Sequence, residues 1–260
     1  MQTGYLAPEG FENELESELP HPFTKYGRLY ICQGEAIPSL WALNTWHNVE
    51  IVPFTSIGEA ARLLRARQRN WVLYPYAAFR RSQLIADKLP HISFKPISFP
   101  SPLPSAPLGS WTLIDQNTLI AAKECSSPFA NGEPNFIEDK MHPPSRAYLK
   151  LYEALMQMGK WPNEGEKCLE IGAAPGSWTW VLQRLSAQVI ACDRAPLDPA
   201  IGKLPRIEFI KGDAFSLTPD KVGPLDWIVS DIICYPDKLY DWVSRWLDSG
   251  LCQNYVLTLK

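Results

Sequence analysis

The chain has 260 residues, of which 46% are hydrophobic and 20% are charged, so it is long and apolar enough to form one or two folded domains. Its formal net charge of −3 excludes a protein that is basic throughout, and a nucleic acid would have to be bound by a local positive patch. The N-terminus lacks the pattern of a signal peptide, and no apolar run approaches the ~18 residues that a membrane span needs.

The six cysteines are spread along the chain without a Cys-x-x-Cys pair, and the four histidines do not cluster with them. Zinc sites are usually built from such pairs, so the spacing predicts no metal site. Free thiols without an export signal are typical of a reducing compartment, and we expect a cytoplasmic protein without a membrane partner.

The N-terminal part of the chain predicts a mixture of helices and strands. Residues 11–19 and 56–68 have apolar residues at helical spacing, residues 28–33 are typical of a strand, and residues 111–125 predict a hairpin. This order predicts a small α+β domain over residues 1–125.

Two proline-rich stretches interrupt the regular patterns. Residues 90–109 contain too many prolines for a helix and favour an extended connector. Residues 126–144 include Asn-Gly and Pro-Pro and are interpreted as the linker between domains.

After the linker, helices and strands alternate. A helix is expected over residues 145–158, with Ser145 as its N-cap. Further helices are expected at 176–186 and 236–250, and strands at 167–171, 188–193, 206–213, 225–232 and 253–260. Strands that alternate with helices form parallel βαβ units, so residues 145–260 predict a doubly wound, Rossmann-like α/β domain.

The loop in "LEIGAAPGSWTW" follows the first of these strands, which is where ligands bind in doubly wound sheets. Gly172 and Gly176 allow a sharp turn and the close approach of a ligand. A dinucleotide is disfavoured, because Ala174 and Ser177 stand where its pattern requires glycine and Pro175 removes an N–H. A positively charged sulfonium cofactor fits better; the alternative is a plain turn between strand and helix.

Acidic residues end three consecutive strands of the predicted sheet. Glu170 could lie near the ammonium group of such a cofactor, Asp193 could accept both ribose hydroxyls, and Asp213 could accept from an adenine amino group. Each alone could be an ordinary polar residue, but the three together predict a nucleoside site.

The segment "LEIGAAPGSWT" is similar to motif I of the FtsJ/RrmJ-like ribose 2′-O-methyltransferases, which use S-adenosyl-L-methionine. "PPSRAYLKLYEA", "WIVSDI" and "YVLTLK" resemble further motifs of the family, and other segments resemble its members that act on a cytidine of 23S rRNA. The resemblance implies methyl transfer to RNA, with the cofactor bound by Glu170, Gly172, Ala174, Pro175, Gly176, Trp178, Asp193 and Asp213.

The resemblance also implies catalytic residues. Lys150, Asp231 and Lys260 match the first three members of the family's Lys-Asp-Lys-Glu tetrad, which would activate and orient the ribose hydroxyl. The glutamate and the last strands of the family's sheet have no counterpart here, and we expect a domain that is truncated at its C-terminus. The family members that act on 23S rRNA carry a ferredoxin-like module and an RNA-binding THUMP domain, and the latter is expected to be reduced or absent.

The stretch 61–81 contains six arginines and four aromatic residues and no acidic residue. Arginine on phosphate and aromatic rings on unpaired bases are common in RNA recognition. The alternative is an amphipathic helix with a solvated basic face, followed by a buried strand. The candidate RNA-binding residues are Arg65, Arg67, Arg69, Arg80, Arg81 and, outside this stretch, Arg146.

Two other functions remain open at this point. The chain could be a non-catalytic RNA-binding or assembly protein that retains the fold, or a methyltransferase that acts on a base or a small molecule. Enzymes that methylate a base amino group usually carry Asn/Asp-Pro-Pro-Tyr after the fourth strand, where this chain has "SDIICYP".

Overall fold

The computed structural model describes residues 1–259 and separates into two compact units. The first comprises Met1–Ile97 and Pro104–Asn135, and the second comprises Ser98–Leu103 and Phe136–Lys260. The segment 126–144, interpreted above as a linker, is therefore divided between the two units after Asn135.

The first unit contains nine strands and three α-helices among the described residues. In chain order these are β1 (Gln2–Leu6), α1 (Glu12–Glu18), β2 (Phe23–Tyr26), β3 (Leu29–Gln33), β4 (Asn44–His47), β5 (Glu50–Pro53), α2 (Ile57–Arg67), β6 (Trp71–Leu73), α3 (Phe79–Ala86), β7 (Gly109–Leu113), β8 (Thr118–Ala122) and β9 (Glu124–Cys125).

These strands form two sheets within the first unit. The first has the order β2-β3-β1-β4-β9 with antiparallel pairs throughout, and the second has the order β5-β8-β7-β6. Helix α2 begins after Ser56, whose side chain accepts from the Glu59 backbone N–H, and buries Ala60 and Leu64 against Trp111 of the second sheet. Helix α3 and most of the short strands were not predicted.

The second unit contains alternating helices and strands, as the sequence predicts. They are α4 (Tyr148–Met158), β10 (Lys167–Ile171), α5 (Ser177–Arg184), β11 (Gln188–Asp193), α6 (Pro199–Gly202), β12 (Ile207–Lys211), α7 (Pro219–Val222), β13 (Leu225–Ser230), α8 (Pro236–Ser249) and β14 (Cys252–Leu257).

The five strands of this unit form one parallel sheet in the order β12-β11-β10-β13-β14. The chain winds outward from β10 to β12 and then returns to the other side of β10 as β13. The loops after β10 and β13 therefore leave the sheet next to each other, which is the switch point where ligands bind in this architecture.

The start of α4 corrects one expectation. The helix begins at Tyr148, with Ala147 at the N-cap position, so Ser145 is not its cap. The Ser145 hydroxyl instead lies 2.8 Å from that of Ser177 at the start of α5. Arg146 consequently precedes the helix and does not share a helical face with Lys150.

Candidate functional site

The loop after β10 is shaped by two glycines with left-handed backbone. Gly172 has a φ of +72°, and a Cβ atom there would lie 2.6 Å from Cβ of Ile232. Gly176 has a φ of +112°, and a Cβ there would lie 2.8 Å from Cγ2 of Ile201. Both the conformation and the lack of space require glycine at these two positions. The backbone of the loop therefore packs directly against the side chains of Ile232 and Ile201.

A cleft of about 320 Å³ opens beside this loop. Its lining contains seven of the predicted site residues, namely Glu170, Gly172, Ala174, Pro175, Trp178, Asp193 and Asp231. A second cleft of about 410 Å³ shares Gly172, Asp193, Ile232 and Ile233 with the first. The two clefts adjoin at the carboxyl end of the sheet and could hold the two ends of an elongated ligand.

Glu170 is almost completely buried at the base of the first cleft, with 3% of its surface exposed. Burial raises its pKa to about 8, the nearby charges of Asp193 and Asp231 act in the same direction, and the hydrogen bond donated by Thr179 opposes them. At neutral pH this side chain is therefore mostly protonated.

This raised pKa predicts a pH-dependent stability. The contribution of Glu170 is fully present below its ordinary pKa of 4.5 and is lost as the pH rises through about 8, because the folded state holds a proton that the unfolded state releases. Glu170→Gln, which never ionises, should remove this loss and gain on the order of 3 kcal/mol relative to the unaltered protein between pH 5 and 9.

Urea unfolding at several pH values measures the difference. Glu208→Gln is a suitable control because Glu208 is exposed on β12. Parallel pH profiles for the unaltered protein and Glu170→Gln would contradict the prediction.

Asp193 and Asp213 differ in their surroundings. The two carboxylate oxygens of Asp193 accept from the backbone N–H groups of Ala174 at 3.0 Å and Ala195 at 2.9 Å, so this side chain fixes the loop as well as lining both clefts. Asp213 is not among the lining residues of either cleft. The Phe215 backbone N–H and the Arg194 guanidinium, 3.2 Å away, hold its pKa below the usual range.

Lys150 and Asp231, 81 residues apart in the sequence, meet at the carboxyl end of the sheet. Nζ of Lys150 lies 3.2 and 3.3 Å from the two carboxylate oxygens of Asp231. The Lys150 side chain is 54% exposed and that of Asp231 17% exposed, so the pair is open to a substrate from one side. Lys260, the third predicted catalytic residue, lies outside the described residues.

Thr258 is a member of this cluster that the sequence did not reveal. Its hydroxyl donates to Asp231 at 2.7 Å, and its backbone N–H donates to the Ser230 carbonyl. Thr258 lies within the last predicted strand, at the carboxyl end where ligands bind, and this position is the signal that could have identified it. The Ser145–Ser177 contact, which also borders the cleft, has no comparable signal.

Several predicted RNA-binding arginines contact other parts of the protein. Arg67 pairs with Glu50 at 2.6 Å, Arg65 donates to the Lys88 carbonyl, and Arg81 lies over the Phe54 ring. In the second unit, Arg146 pairs with Glu138 at 2.7 Å. Arg69 and Arg80 are exposed.

Three further observations concern residues 1–259. No group of three or more His, Cys, Asp or Glu side chains in this part of the chain is arranged to hold a metal ion. The cysteines there are free thiols. None of the described helices has the length and apolar character needed to cross a membrane.

Residues 143–243, which contain Lys150, the glycine loop and Asp231, match the model of the FtsJ-like methyltransferase family. A ribosomal RNA large subunit methyltransferase M from Xylella fastidiosa (strain M12) is 36% identical over 144 residues, covering 52% of this chain and 39% of that protein. The protein of the same name from Xanthomonas oryzae pv. oryzae (strain MAFF 311018) is 31% identical over 195 residues, covering 70% of this chain and 51% of that protein.

The chain thus spans about half or less of the length of these relatives. The resemblance to FtsJ-like methyltransferases that the sequence motifs indicated is confirmed for the second unit.

Proposed function

We propose that the protein transfers a methyl group from S-adenosyl-L-methionine to a ribose 2′-hydroxyl of RNA, with 23S rRNA as its substrate. The contact between Lys150 and Asp231 beside the glycine loop carries this proposal. The matched family segment and the names of the relatives support methyl transfer and a ribosomal RNA substrate.

The residues around the cleft fit the cofactor. The backbone of Gly172 lines the cleft, Glu170 and Asp193 offer oxygen atoms, and Trp178 provides an apolar wall. Trp178 is held by a hydrogen bond from its indole N–H to the Ala147 carbonyl at 2.9 Å. When bound, S-adenosyl-L-methionine supplies an electrophilic methyl group. Asp213 remains a candidate for the contact with the adenine amino group, since its neighbours Gly212 and Ala214 line the second cleft although Asp213 itself does not.

The ribose hydroxyl is a poor nucleophile, so the site must take up its proton or polarise it. Lys150 is proposed to do so at the open side of the cluster, either taking up the proton as its neutral amine or polarising the hydroxyl as an ammonium group. Asp231 orients the Lys150 nitrogen with both oxygens, and Thr258 holds Asp231 from the other side. Lys260 is proposed as the further catalytic residue on the strength of the family motif alone.

The first unit is proposed to be an accessory RNA-binding domain, with residues 1–125 as its extent, 126–144 as the linker and 145–260 as the methyltransferase domain. The strand order β2-β3-β1-β4, with α1 between β1 and β2, supports a ferredoxin-like assignment, although β3 and β4 are joined without a helix. Arg65, Arg69 and Arg80, which are exposed, are proposed to bind RNA. We place the protein in the cytoplasm, where ribosomal RNA is the accessible substrate.

The function is tested with labelled S-adenosyl-L-methionine and an unmodified 23S rRNA transcript. After complete digestion to nucleosides, the label is expected in a 2′-O-methylated nucleoside. Label in a base would contradict ribose chemistry, and absence of transfer to RNA by a protein that binds the cofactor would favour a non-catalytic role.

A further inference from the structure

The segment that follows Asp231 alternates between inward and outward side chains. Ile232 and Cys234 are partly buried and pack against the core of the second unit. Ile233 and Tyr235 point the other way and are 84% and 85% exposed. Two large side chains with apolar surface therefore stand next to each other at the rim of the clefts, since Ile233 lines both and Tyr235 lines the second.

Positive charge lies beside this pair. Arg194 and Lys238 line the same cleft as Tyr235. The Lys238 ammonium lies 4.2 Å from the centre of the Phe215 ring, and the Arg194 side chain is 75% exposed although it contacts Asp213. Flat apolar surface flanked by cations complements an unpaired nucleotide, which has an aromatic base and an anionic phosphate.

We propose that Tyr235, with Ile233 beside it, is the platform on which an unpaired base of the RNA substrate stacks. This inference rests on the proposed function, because it assumes an RNA substrate. Tyr235 follows Asp231 by four residues, which limits their Cα separation to about 14 Å of extended chain. The stacked base therefore belongs to the methylated nucleotide or to one near it, and stacking holds the ribose at Lys150.

The competing occupant of this platform is the adenine of the cofactor, since Tyr235 borders a cleft that could hold it. Removal of the Tyr235 ring is expected to weaken the binding of a different ligand in each case. A ring that stacks on RNA affects RNA affinity alone, whereas a ring that covers the cofactor affects the affinity for S-adenosylhomocysteine.

The experiment titrates the full chain into a fluorescently labelled 12-nucleotide single-stranded RNA and follows anisotropy. Stacking on an aromatic side chain contributes about 1–3 kcal/mol per base, so Tyr235→Ala should weaken binding about 5- to 150-fold. Tyr235→Phe keeps the ring and should bind within twofold of the unaltered protein. Tyr240→Ala is the matched control, because Tyr240 is 73% exposed on α8 but lines neither cleft.

A double-stranded RNA of the same sequence should bind the unaltered protein and Tyr235→Ala equally, because its bases are paired. The inference is overturned if the unaltered protein does not bind the single strand, if Tyr235→Ala binds it as well as Tyr240→Ala does, or if the variant mainly loses affinity for S-adenosylhomocysteine in calorimetry. RNA binding and methyl transfer are measured in separate assays. If the protein binds RNA but transfers no methyl group to it, the proposed function fails while the inference about Tyr235 can still be tested.

Discussion

Replacing Lys150 by alanine is expected to lower the rate of methyl transfer about a hundred- to ten-thousandfold, the range in which a positioned acid or base contributes. The variant loses the group that faces the ribose hydroxyl and leaves Asp231 with the Thr258 hydroxyl as a remaining partner. Because the Lys150 side chain is half exposed, its ion pair with Asp231 contributes at most about 1 kcal/mol to stability, so the variant should fold. Single-turnover transfer to the rRNA transcript measures the rate.

Two further variants make this result specific. Lys150→Arg keeps a positive charge next to Asp231 but stays protonated in proteins, so it separates proton uptake from charge alone. We expect it to remain nearly inactive; full activity would show that the charge suffices. Lys167→Ala removes an exposed lysine at the opposite, amino end of the sheet and should transfer methyl groups at the unaltered rate.

The second large effect is expected at Gly172. Gly172→Ala forces an L-residue into left-handed backbone, which costs about 1–2 kcal/mol, and presses its Cβ against Ile232, which costs about 1–3 kcal/mol. We expect the free energy of unfolding to fall by about 2–5 kcal/mol and the affinity for S-adenosylhomocysteine to fall with it, since the loop must move.

Urea unfolding and calorimetry measure the two quantities. In Gly202→Ala, the added Cβ meets only Leu197 at 4.0 Å and the φ is not left-handed, so this control should change both quantities little. If Gly172→Ala bound S-adenosylhomocysteine as tightly as Gly202→Ala does, the result would contradict the proposal that this loop lines the cofactor site.

The parallel sheet could be predicted because its strands are apolar runs separated by helices with clear apolar periodicity. The glycine loop could be predicted because glycines at 172 and 176 interrupt that pattern at the end of a strand. Both features are local in sequence. The placement of Lys150 relative to Asp231 was expected only through the family motif, because 81 residues separate them.

What could not be predicted depends on contacts that are distant in sequence. Ser145 looks like a helix cap, but its hydroxyl contacts Ser177, and α4 begins three residues later. Arg67 looks like a free cation until strand β5 brings Glu50 next to it. The short strands of the first unit have too few residues for an alternating pattern to stand out, and their pairing partners are what make them strands.

The packing of Ile232 against Gly172 has a consequence for how the two substrates affect each other. Ile232 is joined covalently to Asp231 on one side and to Ile233 on the other, so any shift of the glycine loop would displace the segment proposed to contact RNA. If cofactor binding shifted the loop, the two binding equilibria would be interdependent. By thermodynamic reciprocity, whatever factor the cofactor applies to the RNA affinity, RNA must apply to the cofactor affinity, and the order in which they bind leaves the total free energy unchanged.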